Sequence, residues 1–270
     1  MYVFERKLIK NISMKRQWVF AAIILFLIGL IYFFILPRKL FHDPYATVIE
    51  STSGELLGAQ IADDGQWRFP ASERVSDKFR KCITYYEDQY FFRHPGINPV
   101  SLFRAMGQNI KSGKIVSGGS TLTMQFIRLS RKKSRTIIEK IYEMILATRL
   151  ELRYSKEEIL NIYASHAPFG GNVVGLESAS WRYYGRSADR LSWAESAALA
   201  VLPNNPGMVY PGKNQLVLQR KRDFLLKKLF QNQVIDSLTY QLALTEPLPG
   251  TPKPLPQATT HLLQSLIRDG

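Results

Sequence analysis

The chain has 270 residues and a mass of 30.9 kDa, enough for one good-sized domain with a buried core. Apolar residues at 46% and charged residues at 21% exclude wholesale disorder and a polytopic membrane protein. The single cysteine, Cys82, excludes an internal disulfide framework and a C-x-x-C metal site, and 36 basic against 22 acidic residues, a net +14, point to an anionic partner.

Residues 18–36, WVFAAIILFLIGLIYFFIL, run without a charge and are long enough to cross a hydrocarbon core of roughly 30 Å as a helix. Arg6, Lys7, Lys10, Lys15 and Arg16 stand ahead of the run against one acid, Glu5, and only Arg38 and Lys39 follow it closely. That bias keeps a 1–17 tail in the cytoplasm and sends the remainder across the membrane to its outer face. A cleaved signal peptide has a shorter apolar region and a small-residue cleavage site, which Pro37-Arg38-Lys39-Leu40 does not supply. The exported part retains 31 basic and 21 acidic residues. On the outer face of a membrane, that excess speaks for anionic lipid or a phosphate-bearing lipid and against nucleic acid.

Residues 46–50, 56–62 and 66–69 read as short strands separated by Thr52-Ser53-Gly54 and Asp63-Asp64-Gly65, a small membrane-proximal β element. From about residue 76 the pattern turns helical, with Phe79, Ile83, Tyr86 and Tyr90 on one face. Asn98-Pro99 places an N-cap before a proline, opening a helix that carries Phe103, Met106 and Ile110 on one side and ends near Gly113. Ser155-Lys-Glu-Glu158 and Ser192-Trp-Ala-Glu195 fit capping boxes ahead of apolar runs. Further helices are expected at 120–131, 136–153, 175–184, 215–231 and 236–245. The prolines between 246 and 257 read as a stiff extended linker that begins a terminal segment, 246–270, beyond a mainly α domain at 45–245.

Three stretches could carry chemistry. Glu87-Asp88 falls late in a helix, which taken alone most often means a solvated helix end. Here Tyr85, Tyr86, Tyr90, Phe91 and Phe92 crowd the pair, and desolvation of that kind raises a carboxyl pKa and equips it as a general base or acid. Gly118-Gly119-Ser120-Thr121 enters a helix with free amides and hydroxyls suited to an anion, though by itself it is an ordinary loop with a serine N-cap. Arg128, Arg131, Lys132, Lys133 and Arg135 follow one helix later, a solvated surface or a phosphate-binding one. Lys140 and Glu143, three apart on a helix, share a face, which is most often a surface ion pair. The four histidines, His42, His94, His166 and His261, lack ligand spacing for a structural zinc.

Taken together and in order, EDQYFFRHPG, GGSTLTMQ, KIYE and SKEEILNIYASHAPFGG resemble the peptidoglycan glycosyltransferases of family 51, the murein polymerase domains of class A penicillin-binding proteins and of monofunctional transglycosylases. The resemblance spans about residues 45 to 212. IADDGQWRFP and HAPFGGN look like the 1C branch of the class A proteins. It implies a lysozyme-like, mainly α glycosyltransferase domain that polymerises lipid II into glycan strands with inversion, undecaprenyl diphosphate leaving. It implies Glu87 as the base that deprotonates the acceptor hydroxyl, with Asp88, Phe91 and His94 on the other positions of the first motif. Ser120, Thr121, Gln125 and Arg128 match the second motif, which holds the donor near its diphosphate. Lys140 matches the group that neutralises the leaving diphosphate. Glu143 matches one that steadies the reacting centre or a divalent cation such as Mg or Mn.

The implied partners are lipid II, the growing strand, anionic membrane lipid and other cell-wall synthesis proteins. Met124, Glu139 and Ser165 depart from the pattern, where glutamine, arginine and asparagine are common. A lytic glycan-cleaving enzyme and a non-catalytic scaffold that binds lipid II are the competing readings. Relatives of the 1C type continue past such a linker into a transpeptidase domain. A monofunctional form, a truncated product and a fragment of a longer gene are therefore all compatible with the chain.

Overall fold

The computed structural model describes residues 2–71, 74–114, 118–134, 136–259, 261, 262 and 265, with side chains from Arg16 onward. The basic side chains of the tail before Arg16, residues 115–117 of the glycine-rich loop, Arg135 of the basic run and most of the chain past 259 lie outside the described residues. The chain divides into two units, Met1–Leu40 and Phe41–Gly270.

The first unit is one helix, α1 (Tyr2–Phe34), whose stretch from Arg16 to Phe34 has a mean hydropathy of 2.3. Its apolar side chains are almost all exposed, so they need an apolar solvent rather than a protein core. The helix stops two residues short of the expected position 36. Pro37 has no amide to donate and pushes the residue before it out of helical geometry.

The second unit is mainly helical, as expected. It opens with an antiparallel hairpin, β1 (Thr47–Glu50) and β2 (Leu56–Gln60), closed by a turn in which Gly54 takes φ +78°. The third expected strand shrinks to β3 (Trp67–Arg68) and leaves this hairpin. It pairs in parallel with β4 (Val173–Val174), because the Trp67 amide donates to the Asn172 carbonyl.

The free edge of β2 is taken instead by the proline-rich segment. Ala258 N donates to Leu57 O at 2.9 Å, and Gly58 bridges Gln257. Upstream, Lys253 N donates to Arg182 O at 2.6 Å, and Leu255 buries itself with Ala46, Leu56, Phe69 and Trp181. Residues 246–259 are therefore extended, as expected of a linker, but strapped onto the domain. Leu255→Ala is expected to lower stability by about 2 kcal/mol, the low end for a buried leucine, seen as a drop of roughly 5 °C in thermal unfolding of the full chain.

The helices are α2 (Asp77–Glu87), α3 (Pro99–Ser112), α4 (Leu122–Arg131), α5 (Ile137–Glu151), α6 (Lys156–His166), α7 (Leu176–Tyr184), α8 (Trp193–Ala200), α9 (Gln215–Gln231) and α10 (Ser237–Thr245). Ser155 and Ser192 complete the capping boxes their sequences announce. The small side chains of α8, Ser196, Ala197, Ala198 and Ala200, are almost fully buried, and this lets α2, α7, α9 and α10 close on one helix. A second layer sets α4 against α5 and α6.

Two local expectations are corrected. Tyr90 is not on the α2 face: the helix ends at Glu87, where Asp88 leaves helical geometry, and Tyr90 is 50% exposed. The N-cap of α4 is Thr121, not Ser120, since Thr121 Oγ1 accepts from Met124 N. The apolar side of α3, on which the sequence places Phe103, Met106 and Ile110, faces outward. Phe103 and Ile110 are 71% and 77% exposed, and among its described residues α3 buries Ala105. Ile137 and Ile138 on α5 are exposed in the same way.

Candidate active site

Glu87 is the last residue of α2, so its side chain leaves a rigid helix just where the backbone turns. That turn is fixed by Asp88. Its carboxylate accepts from His94 Nε2 at 2.9 and 3.0 Å and from Leu122 N at 3.0 Å, tying the end of α2 to the start of α4. Thr121 Oγ1 donates to Gly96 O at 2.6 Å, and Lys156 Nζ donates to His94 O and Glu151 Oε1, both at 2.7 Å, while lying over the Phe91 ring. Gly96 itself passes so close to α5 that a Cβ there would sit 2.6 Å from Ala147 O. Asp88, Phe91, His94 and Thr121 are all buried. Asp88, His94 through Nε2 and Thr121 bond to each other or to backbone, forming the frame on which Glu87 stands.

Within that frame Glu87 Oε2 accepts from Gln125 Nε2 at 2.8 Å, and Gln125 Oε1 in turn receives Tyr163 Oη at 3.4 Å. The tyrosine thus sets which end of the Gln125 amide faces the carboxylate. Burial of the Tyr163 phenol pushes its pKa up, so it remains a donor. Glu87 Oε1 is buried and has no hydrogen-bond partner among the described residues. Burial pushes the Glu87 carboxyl above the usual glutamate range, against the pull of the Gln125 and Asn204 amides and the charges of Arg128 and Lys221.

The surroundings that desolvate Glu87 differ from the aromatic crowd expected from sequence. Tyr86 is adjacent and partly buried, but Phe91 turns inward and Phe92, with Tyr90, is exposed. Gln125 and Asn204, neither of them in the first motif, reach the carboxylate instead, with Tyr163 behind Gln125. Asn204 and Lys221 were not legible in the sequence. Asn204 lies in a turn after α8, and Lys221 sits in Gln-Arg-Lys-Arg-Asp on α9, which reads as a solvated face; Lys221 Nζ lies 3.4 Å from Asn204 Oδ1.

A cleft of about 130 Å³ opens beside Glu87, lined among others by Tyr86, Ser101, Arg104, Ser120 and Lys228. Ser120 is partly buried here, a hydroxyl at the cleft wall. Arg128, Lys140 and Glu143 are not among its lining residues and stand on α4 and α5. The two regions are linked through α4: Arg128 acts electrostatically on Glu87, and Arg131, one turn on, acts on Glu143. Glu143 is buried and Lys140 partly buried, on one face of α5 as expected.

Of the departures from the family pattern, Met124 is fully buried and Ser165 Oγ donates to Asn161 O at 2.9 Å. Glu139 is bound by Arg131.

The residues around Glu143 do not fit a protein-held divalent cation. Among the described residues, no group of three histidine, cysteine, aspartate or glutamate side chains could hold one. The acid one turn before it, Glu139, is engaged by a guanidinium. What the arrangement offers chemically is a carboxylate of raised basicity with one oxygen unpartnered, within the field of the cations Arg128 and Lys221.

Comparison with known proteins gives a consistent picture. The profile of the transglycosylase family matches residues 54–230. Penicillin-binding protein 1C of Escherichia coli is 37% identical over 222 residues, 82% of this chain and 29% of that protein. Penicillin-binding protein 1A of Aquifex aeolicus is 30% identical over 241 residues, 85% of this chain and 33% of that protein. A biosynthetic peptidoglycan transglycosylase of Acinetobacter baylyi is 34% identical over 170 residues, 63% of this chain and 75% of that protein. The chain thus spans a third or less of the length of the two penicillin-binding proteins.

Proposed function

The chain belongs to the transglycosylase family, and from that premise we propose that it is a membrane-anchored peptidoglycan glycosyltransferase that extends glycan strands from lipid II. In this reading Glu87 takes the proton from the acceptor sugar's 4-hydroxyl as that oxygen attacks the anomeric carbon of the donor. The bond from that carbon to the lipid diphosphate breaks, the electron pair leaves with the diphosphate, and the configuration inverts. Arg128 and Lys140 offset the charge that develops on the leaving group. Asp88, His94, Thr121 and Gln125 keep Glu87 in place.

The observation that carries the reading is Glu87 itself. It is a carboxylate fixed through one oxygen by Gln125, unpartnered at the other and made more basic by burial. Incubating the purified full chain with lipid II tests the proposal: polymeric strands are expected, while soluble fragments released from purified sacculi would favour a lytic enzyme and binding without turnover a scaffold.

A lipid substrate is supported by the exposed apolar sides of α3 and α5, set among Arg104, Lys111, Lys132 and Lys133, a surface suited to anionic lipid. With α1 as the anchor and its basic flank in the cytoplasm, the domain stands on the outer face of the inner membrane, within reach of lipid II, the growing strand and other cell-wall enzymes.

A pH dependence follows. The base works ionised, so the rate rises as pH climbs through the Glu87 pKa, above the ordinary glutamate value of 4.5. Lys221 pulls that pKa down. Lys221→Met is therefore expected to move the acid limb of the rate–pH profile to higher pH. An unmoved limb, or one moved down, contradicts the electrostatics described here.

A further inference from the structure

At the corner between α4 and α5, Arg128, Arg131, Lys132, Lys133 and Lys140 are the described cations. Two of them are neutralised within the chain. Lys132 Nζ is paired with Asp43 and Arg131 with Glu139. Arg128, Lys133 and Lys140 make no ion pair among the described residues.

The second of these pairs differs in kind from an ordinary surface contact. Arg131 Nε donates to Glu139 Oε1 and Arg131 Nη2 to Glu139 Oε2 at 3.2 Å, a two-point fork in which the carboxylate occupies the guanidinium edge that a phosphate would otherwise take. The guanidinium also lies over the Tyr142 ring at 5.1 Å, and the side chains of the pair are 30% and 16% exposed, so neither end moves freely. Arg131 projects toward the face of α5 that carries Lys140 and Glu143, its charge felt at Glu143.

We propose that Arg131 is a further phosphate-binding residue for the leaving diphosphate and that Glu139 masks it, holding the affinity of this corner for a diphosphate below what its cations alone would give. The inference rests on the reading of the site as a lipid diphosphate site. A diphosphate that arrives must displace Glu139 from the guanidinium edge. The same competition loosens the grip on the product diphosphate, which must leave after each addition.

The test is the affinity of the full chain, in nonionic detergent, for inorganic pyrophosphate by calorimetry, with thermal unfolding followed in parallel. Glu139→Gln is expected to tighten binding roughly two- to fivefold, the range one partly exposed ion pair supports. Arg131→Met is expected to weaken it, because Glu139 is then left as an uncompensated carboxylate beside the anion. In the double variant the gain is expected to disappear. Unchanged or weaker binding in Glu139→Gln, with Arg128→Ala still weakening it, overturns the inference and leaves the site assignment intact. A gain that persists in the double variant also overturns it, since Glu139 then acts by its own charge. Pyrophosphate binding to none of the proteins contradicts the site assignment as well.

Discussion

Glu87→Gln is expected to reduce strand formation from lipid II at least about a hundredfold while leaving the fold as stable as before or more so. The two halves of that expectation come from one physical fact. Glutamine keeps the shape and can still accept from Gln125 Nε2, so the contact that orients position 87 survives. It cannot take a proton, so the step that makes the acceptor hydroxyl nucleophilic loses its base. Burial raises the Glu87 pKa, which means that folding disfavours its charged form at every pH above that value. Replacing the carboxylate with a neutral amide removes that penalty. Thermal unfolding at neutral pH is expected at the wild-type temperature or slightly above it, and a variant that loses activity by unfolding contradicts the account.

Asp88→Ala is expected to do the opposite, destabilising the protein by about 3 kcal/mol and lowering its unfolding temperature by roughly 6–12 °C. Asp88 is buried and accepts from both His94 and the Leu122 amide. Removing it leaves two donors without partners in a dry site, a larger loss than the bonds themselves. Activity is expected to fall with stability, because the backbone turn after Glu87 is shaped by this carboxylate. Asp88→Asn retains an acceptor for one donor, and its loss is expected to be about half as large. Equal stability in the wild type and Asp88→Ala contradicts the role given to the frame.

Much of the helical plan was legible because its signals are local. Ser155 and Ser192 with their glutamates, Asn98 ahead of Pro99 and Gly113 at a left-handed end each mark a terminus that the chain adopts. Tyr90 was misplaced because helical spacing does not show where a helix stops. The stop at Glu87 is made by bonds from Asp88 to His94 and Leu122, six and thirty-four residues away. The docked strap failed to show for a related reason: proline patterns announce an extended chain but not which edge it covers, and the partner here is β2, about two hundred residues earlier. The exposure of the apolar side of α3 was not legible either, because periodicity reports a face without saying what covers it.

In the site, Glu87, Gln125 and Arg128 were found through motifs, and the structure brings all three together. Asn204 and Lys221 were missed because polar residues in a turn and a basic helix look alike whether they face water or a carboxylate. Glu139 stood out as the acid in a basic corner, but only the geometry shows that it grips Arg131 at both of its oxygens.

The proposal that Glu87 acts as a base of raised pKa is met most directly by the rate of lipid II polymerisation as a function of pH, compared between the wild type and Glu87→Gln. The account predicts an acid limb in the wild type that lies above the usual glutamate range and is missing from the residual activity of the variant. The same limb in both proteins, or comparable rates at its plateau, would show that another group takes the proton.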